Sequence, residues 1–466
     1  MSSPVLALTG VLYKRLQAHL YPGDGKEAAA ILICSRAPGP RLRLLAKDLI
    51  VVPYAECDVR ERDEIYWPGE YLEKAIDQAE QLGCAIILVH SHPGGLLVFS
   101  VADDASDHIV MPCLFEAGGD LHGSAIMTPD GAIRTRLYDR HLKETAVELV
   151  SVVGHNLLFF WERDAHKPQR AQRPMAFASG MTAELNRLSA TIIGVSGTGS
   201  ITAEQAARIG FGHNQYIEFD KVERKNLNRI LNSTLADAAK GTPKAEMFAN
   251  AVATYRGPGV AFSVPLSITT REAVLAASQS DVLFCCVDTL EARQLADLIS
   301  SAFLIPMFDV GVAIPTRKKP DGSAAIAEVC GRIDYVQPGR STLQDRGVYS
   351  PETLRAEYLA KSSPDAHRAE VEEGYIKGVI EEAPSVITLN MRAASALMNE
   401  FIARAYPFRL DSNQKYARTE FRLASCEEEF TAEEEFSVAP NPVLARGAQE
   451  PLLGLPMLGN RRKESS

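Results

Sequence analysis

The sequence predicts an α/β chain of two domains, the second built on a doubly wound parallel sheet. Three observations carry this. From about Leu188 the segments SATIIGVSGTGS, ITAEQAARIGFG and NQYIEFD read as strand, glycine turn, helix and strand, which is how such a sheet begins. Two more apolar runs, DVLFCCVD and FLIPMFDVGV, continue the alternation with helix-like segments between them. Upstream, strands and helices are mixed as far as RDAHKPQRAQRP, residues 163–174, a polar, basic and proline-containing break. The expected organisation is therefore a first domain over 1–162, a linker over 163–174, a second domain over 175–425 and an acidic, then polar, tail over 426–466.

Composition agrees. A chain of 466 residues holds two or three domains at roughly 100–200 residues each. With 46% hydrophobic and 23% charged residues, real cores can be buried. The net charge of -10 argues against nucleic acid as the main partner. The amino-terminal residues lack a leader pattern and no apolar run reaches about 18 residues, so a cytoplasmic protein without a membrane partner is expected. Eight cysteines, none in a CxxC pair and two in an apolar run (Cys285, Cys286), suit reduced thiols.

In the first domain, GEYLEKAIDQAEQLG sets Leu72, Ala75, Ile76, Ala79 and Leu82 on one helical stripe that stops at Gly83. AIILVHSHP then reads as a buried strand with His90 and His92 at its end. Residues two apart on a strand share a face, so both imidazoles can converge on one ion. Ser100 and Asp103 follow; alone they also read as a helix cap. The run His90-x-His92-Pro93-x6-Ser100-x2-Asp103 resembles the JAB/JAMM metalloprotease motif in residue type and spacing. The resemblance implies a cytidine-deaminase-like α/β fold over about residues 10–140 and a zinc site of His90, His92 and Asp103 with its fourth position open. It also implies an upstream glutamate as general base. Glu27, at the start of the apolar segment AAAILICS, takes that place ahead of Glu56 and Glu64, which lie in a polar stretch. Ser100 would stabilise the oxyanion, and the bond cut would follow the terminal glycine of a ubiquitin-like protein.

In the second domain, Gly194, Ser196, Gly197 and Gly199 lie between a strand and a helix, the context that makes a glycine-rich loop a phosphate cradle. Alone, with Glu218 at the end of the next strand, this also fits a nicotinamide dinucleotide site. EFDKVERKNLNR, GTPKAE and CCVDTLEAR, in that order, resemble the ThiF/MoeB/ubiquitin-activating family. The resemblance implies a Rossmann-like adenylation domain over about 175–340, ATP and magnesium as cofactors, and a homodimer. It puts Glu218 on the ribose, Asn226, Arg229 and Lys244 on the triphosphate beside Gly194, Gly197 and Gly199, and Asp288 on magnesium. Asp288 with Glu291 also reads as a helix cap, and Arg229 and Lys244 as surface cations. Asp309 and Gly311 resemble the next family strand, and Arg173 takes the place of an arginine given to a second subunit.

The chain also departs from that family. The position of one CxxC pair around a second, structural zinc reads Ser341-Thr342-Leu343-Gln344, so no second zinc is expected. For a thioester nucleophile Cys426 ranks ahead of Cys330: it sits in a polar segment expected to be mobile, although Glu427, Glu428 and Glu429 disfavour its thiolate. The combined expectation is an enzyme resembling bacterial ubiquitin-like conjugation systems. It adenylates the carboxyl terminus of a ubiquitin-like protein, trims or deconjugates the same modifier, and works with a conjugating enzyme. The alternatives are a sulfur-carrier adenylyltransferase with a processing peptidase, and a catalytically dead binding scaffold.

Overall fold

The computed structural model describes residues 3–167, 172–363 and 386–460. The chain divides into two compact units, one of Met1–Arg173, Ser301–Leu304 and Asn441–Ser466, the other of Pro174–Ser300 and Ile305–Pro440. Among the described residues no helix is long and apolar enough to cross a membrane. Of the linker expected at 163–174, residues 168–171 lie outside the described residues; a single helical turn, Glu162–Asp164, precedes them.

In the first unit β1 (Val5–Thr9) leads into α1 (Gly10–Leu20), whose first turn is capped by Thr9. Then come β2 (Ala29–Arg36), β3 (Arg43–Val51) and the small hairpin β4 (Val59–Arg60) and β5 (Ile65–Tyr66). The helix α2 (Glu70–Leu82) buries Tyr71, Ala75 and Ala79. It ends as expected at Gly83, whose left-handed backbone (φ +61°) is the conformation glycine adopts without strain. β6 (Ala85–Ser91), α3 (Val101–Ala117), β7 (His122–Met127), β8 (Ile133–Tyr138), β9 (Glu144–Ala146), β10 (Leu149–Val153) and β11 (Leu157–Trp161) complete it. Nine of these eleven strands form one mixed sheet in the order β11-β10-β1-β3-β2-β6-β7-β8-β9, and β4 and β5 pair only with each other. Its central strands are nearly continuous apolar runs because both faces are covered: Leu32, Ile87 and Val89 belong to one core cluster, Ile31, Ile33 and Ile86 to the other.

The second unit opens with α4 (Ser179–Leu185) and the strand β12 (Ser189–Ile193), followed by α5 (Gly197–Ile209) and β13 (His213–Ile217). Next are α6 (Leu235–Lys240), α7 (Lys244–Arg256), β14 (Ala261–Val264), α8 (Arg271–Ala277), β15 (Val282–Cys285), α9 (Leu290–Phe303) and β16 (Met307–Ala313). After the ribbon β17 (Thr316–Lys318) and β18 (Ala324–Ile326) come β19 (Cys330–Val336), α10 (Pro351–Ser362), α11 (Ile387–Ala405), β20 (Arg418–Arg422) and β21 (Glu427–Thr431). The sheet runs β14-β13-β12-β15-β16-β19-β20-β21. Its first five strands are parallel, as expected of a doubly wound sheet, and the last three are antiparallel. Order reverses beside β12, so the loop after β12 lies where open α/β sheets take ligands.

The acidic run of the carboxyl-terminal part is solvent-exposed as expected, but the segment is not an unstructured tail. Residues 427–431 pair with β20 as an edge strand, Arg422 reaching Glu429 at 3.3 Å, and residues 433–435 form a further turn. An acidic run reads as solvated because an exposed edge strand needs little apolar periodicity. Residues 441–460 belong to the first unit: Ser35 Oγ donates to Ala445 O at 2.7 Å and the Ala448 N–H donates to Arg36 O at 2.8 Å. Buried charge holds the second unit's antiparallel half together. Arg346 reaches Asp334 (3.1 Å) and Glu433 (2.9 Å), all three fully or almost fully buried. Removing one partner from such a group costs about 3–5 kcal/mol, because the other is left charged and dry.

Candidate functional sites

The first site forms where β6 ends. His90 pairs with Ala29 of β2 and Ile126 of β7, and the His92 N–H donates to Met127 O at 2.8 Å, so three strands fix the backbone under both imidazoles. Their Nε2 atoms lie 3.0 Å apart. Asp103 completes the group, Oδ1 at 3.0 Å from His90 Nε2 and Oδ2 at 3.4 Å from His92 Nε2. Among the described residues this is the one group of three or more His, Cys, Asp or Glu side chains placed to hold a metal.

The donor set fits zinc. His92 Nδ1 lies 2.8 Å from Leu96 O, and a ring that gives its Nδ1 hydrogen to a carbonyl presents its Nε2 lone pair inward. The cap reading of Asp103 holds and is compatible with the ligand reading: Ser100 Oγ accepts from the Asp103 N–H at 3.1 Å, Asp103 Oδ2 accepts from the Ser100 N–H at 2.6 Å, and the carboxylate still faces both histidines. Burial works to raise the Asp103 pKa, but the two imidazoles outweigh it and hold the carboxyl well below the usual range. Burial likewise works to lower the pKa of His92, and its hydrogen bond to Asp103 reverses the sign.

Glu27 stands beside this group. Its N–H donates to Glu61 O at 2.7 Å, and the next residue, Ala28, is locked to Ser91 through the Ser91 hydroxyl at 2.9 Å. Burial pushes its carboxyl up to about 7, offset in part by His90 and His92. Glu56 and Glu64 are exposed, and Glu56 accepts a hydrogen bond from Tyr71 OH.

The second site is the loop after β12. Gly194 has φ +84°, and a Cβ there would meet Cys286 O at 2.9 Å. A Cβ on Gly199 would lie 1.7 Å from Gly194 O, so the helix can follow the strand this closely only without a side chain. Gly197 is the first, buried residue of α5, and Ser196 precedes it. Glu218, just past β13, is buried and accepts from the N–H groups of Val195 (3.1 Å) and Asp220 (3.0 Å); burial raises its pKa. Lys244, at the start of α7, is 4% exposed, and its Nζ reaches Ser196 Oγ at 2.9 Å and Asp220 Oδ2 at 2.8 Å. It is therefore a buried cation aimed at the loop.

The remaining expected residues are placed less tightly. Asn226 is buried, its Oδ1 accepting from the Glu223 N–H at 3.0 Å, and Arg229 donates to Lys225 O at 2.9 Å. Asp288 is exposed just beyond the carboxyl end of β15 and does not cap α9. That helix start is satisfied by Glu357 of α10, which accepts from the N–H groups of Leu290 and Glu291 at 3.0 Å each. Asp309 lies inside β16, buried between Arg293 and Arg332. Gly311 lies in the same strand, so neither residue shapes a turn. Arg173 donates to Phe159 O at 3.1 Å within its own chain. Ser341 holds Glu433 through its N–H (2.9 Å) and hydroxyl (2.7 Å).

Two site features were missed in the sequence. Asp220, the counter-ion of Lys244, lies in the quoted EFDKV segment, and its spacing two past Glu218 was the available signal. Glu357 carries no local signal at all. Cys426 is exposed as expected and lies in the turn of the β20–β21 hairpin, with φ +59°. Cys330 begins β19, half-buried, and burial raises its pKa.

Comparison with known proteins bears on both sites. The model of the ThiF family matches residues 169–402, and that of prokaryotic homologs of the JAB domain matches residues 10–138. Ubiquitin-like modifier-activating enzyme 5 of Culex quinquefasciatus is 28% identical over 169 residues, 34% of this chain and 38% of that protein. The same enzyme of Drosophila pseudoobscura pseudoobscura is 29% identical over 161 residues, 32% and 36% respectively. The chain thus spans well under half the length of these curated relatives. Among solved structures, E. coli MccB is similar at 14% identity and a TM-score of 0.41, over 57% of this chain and 69% of that one. The chain belongs to the ThiF family and carries, ahead of its ThiF domain, a prokaryotic homolog of the JAB domain.

Proposed function

We propose that the chain is a double enzyme acting on one ubiquitin-like protein, which it adenylates at the carboxyl terminus and trims or deconjugates at a zinc site. The observation that carries this reading is the pairing, in one ThiF-family chain, of a three-ligand metal cluster with a glycine-walled loop that receives a buried lysine.

In the adenylation reaction a carboxylate oxygen of the modifier attacks the α-phosphorus of ATP. The new acyl–phosphate bond forms as the α–β bridge breaks and pyrophosphate leaves. Two anions must meet, so cations have to neutralise the approach. Lys244, Arg229 and Asn226 are assigned to the phosphates beside Gly194, Gly197 and Gly199, and Glu218 to the ribose. Asp288, an exposed carboxylate beyond the carboxyl end of β15, would be the residue to hold magnesium, which would offset phosphate charge.

In the peptidase reaction His90, His92 and Asp103 would hold zinc, whose Lewis acidity would make a water acidic enough to deprotonate near neutral pH and draw charge from the scissile carbonyl. Glu27 takes the proton of the attacking water and returns it to the departing amine. Its carboxyl, lifted to about 7 by burial, is matched to both transfers at neutral pH. Ser100 Oγ accepts from the Asp103 N–H, and its own hydrogen is assigned to the developing oxyanion.

The placement of the cysteines favours one alternative for the later step. At about 4.8 Å per strand, Cys426 beyond β20 is roughly 19 Å across the sheet edge from the loop after β12. Direct release of the adenylate, as in sulfur-carrier activation, needs no thiol there. A conjugating enzyme belongs to the first reading only, whereas a homodimer is compatible with both. The test is pyrophosphate exchange into ATP with magnesium, with and without a small protein ending in glycine, beside zinc content. Modifier-dependent exchange and one zinc per chain are expected; tight NAD binding with no response to ATP would overturn the adenylation reading.

A further inference from the structure

Behind the metal cluster lies a buried ionic group that no step above uses. Arg136, on β8, is 4% exposed and reaches three points of the segment 99–107. Its guanidinium lies 3.8 Å from the centre of the Phe99 ring. Its Nη1 donates to Asp104 Oδ1 at 2.5 Å, its Nε donates to Asp107 Oδ2 at 2.9 Å, and its Nη2 lies 2.7 Å from that same oxygen. Asp107 is itself buried and also accepts from Ser124 Oγ (2.5 Å) and Tyr138 OH (3.1 Å). Arg136, Ser124 and Tyr138 sit on β7 and β8, and β7 pairs directly with β6, the strand of His90.

The grip therefore brackets Asp103. Phe99 comes just before the Ser100–Asp103 capping box, Asp104 just after it, and Asp107 one turn further along α3. Where the Asp103 carboxylate points is set by the backbone of that first turn, and a small rotation of α3 would carry Oδ1 away from His90. Three carboxylates in five residues also repel one another. The guanidinium compensates Asp104 and Asp107, leaving Asp103 to the imidazoles.

We propose that Arg136 is the positioning residue of the metal site, holding the first turn of α3 in register with β6 so that Asp103 meets His90 and His92. The inference rests on the reading that those three residues bind zinc. Arg136 touches neither a ligand nor the reacting atoms. Its role needs a planar fork that donates in two directions while stacking on a ring, which lysine cannot reproduce. Partners that hydrogen-bond a ligand directly typically tune metal affinity about 10–100-fold, and a residue acting one step further out is expected at the lower end of that range.

The experiment measures zinc affinity of the full chain by chelator competition, with thermal melting of the metal-free protein as the check on folding. R136M is expected to bind zinc about tenfold more weakly, and R136K to recover only part of the loss. Y13F, which deletes the buried hydrogen bond from Tyr13 OH to Gly131 O in the same unit, is expected to bind as the unaltered protein does. Should R136M fail to fold, the double variant D107N/R136M removes the buried charge together with its partner and carries the same expectation. A folded R136M or double variant with undiminished affinity overturns the positioning role alone. An unaltered chain that binds no zinc overturns the metal reading itself, and this role with it.

Discussion

The two sites differ in how far the protein alone completes them. At the metal cluster three donors already converge, carried by one strand end and one helix start whose backbones are pinned on both sides. At the glycine loop the groups proposed to meet ATP are engaged within the protein: Lys244 with Asp220 and Ser196, Arg229 with Lys225 O, Glu218 with two N–H groups. Asp288 stands exposed apart from them. A site gathered from adjacent secondary structure can be built rigid. A site gathered from four connecting segments keeps its charges paired internally until a ligand takes them over.

The comparison breaks first if the sites are not independent. His92→Ala is expected to abolish zinc retention and cleavage while leaving pyrophosphate exchange intact, and Asp288→Ala to do the reverse; metal analysis beside both assays checks the pair. Next in size is Glu27→Gln, which should keep the full zinc content and lose about 10²–10⁴-fold in cleavage rate, the usual contribution of a general base. Normal turnover in that variant would move the base elsewhere.

A third expectation concerns pH in the second unit. Burial lifts Asp297 to about 7 from 3.8, against the Tyr349 hydroxyl and the Leu343 N–H that stabilise its charge. A carboxyl raised above its unfolded value contributes stability that is full below about 4 and is lost as pH rises through about 7. Melting temperature should fall over that window, and Asp297→Asn should flatten the slope. The smallest effect separates the two caps. Thr234→Ala removes an exposed cap on α6 and should cost about 1 kcal/mol by denaturant titration, with no change in zinc affinity. Ser100→Ala should cost a similar amount and also weaken zinc, because its cap orients Asp103.

How much was legible follows from the same contrast. His90, His92 and Asp103 could be read because period-two spacing on a strand and a capping box after it are local patterns. Glu27 could be read as an acid at the start of the apolar segment that forms β2. The glycine loop was less plain, since alone it also fitted a nicotinamide dinucleotide site; the structure supplies the reason for its glycines in the close approach of Gly199 to Gly194 O. Pairings made by folding left no local trace: Glu357 on the start of α9, Asp220 on Lys244, and the return of residues 441–460 to the first unit. The acidic run at 427–431 misled because its edge position removes the alternation that usually betrays a strand.

That edge strand has a consequence for the molecule among its own copies. An unpaired strand is a template on which a neighbour's backbone can dock, and long apolar edges invite endless addition. β21 presents Glu427, Glu428 and Glu429 in succession, all exposed, so a second copy approaching edge to edge would meet like charge. The row that disguised the strand in the sequence thus helps to keep a crowded solution of this protein dispersed. Added salt, by shortening the reach of those charges, should be what weakens that protection.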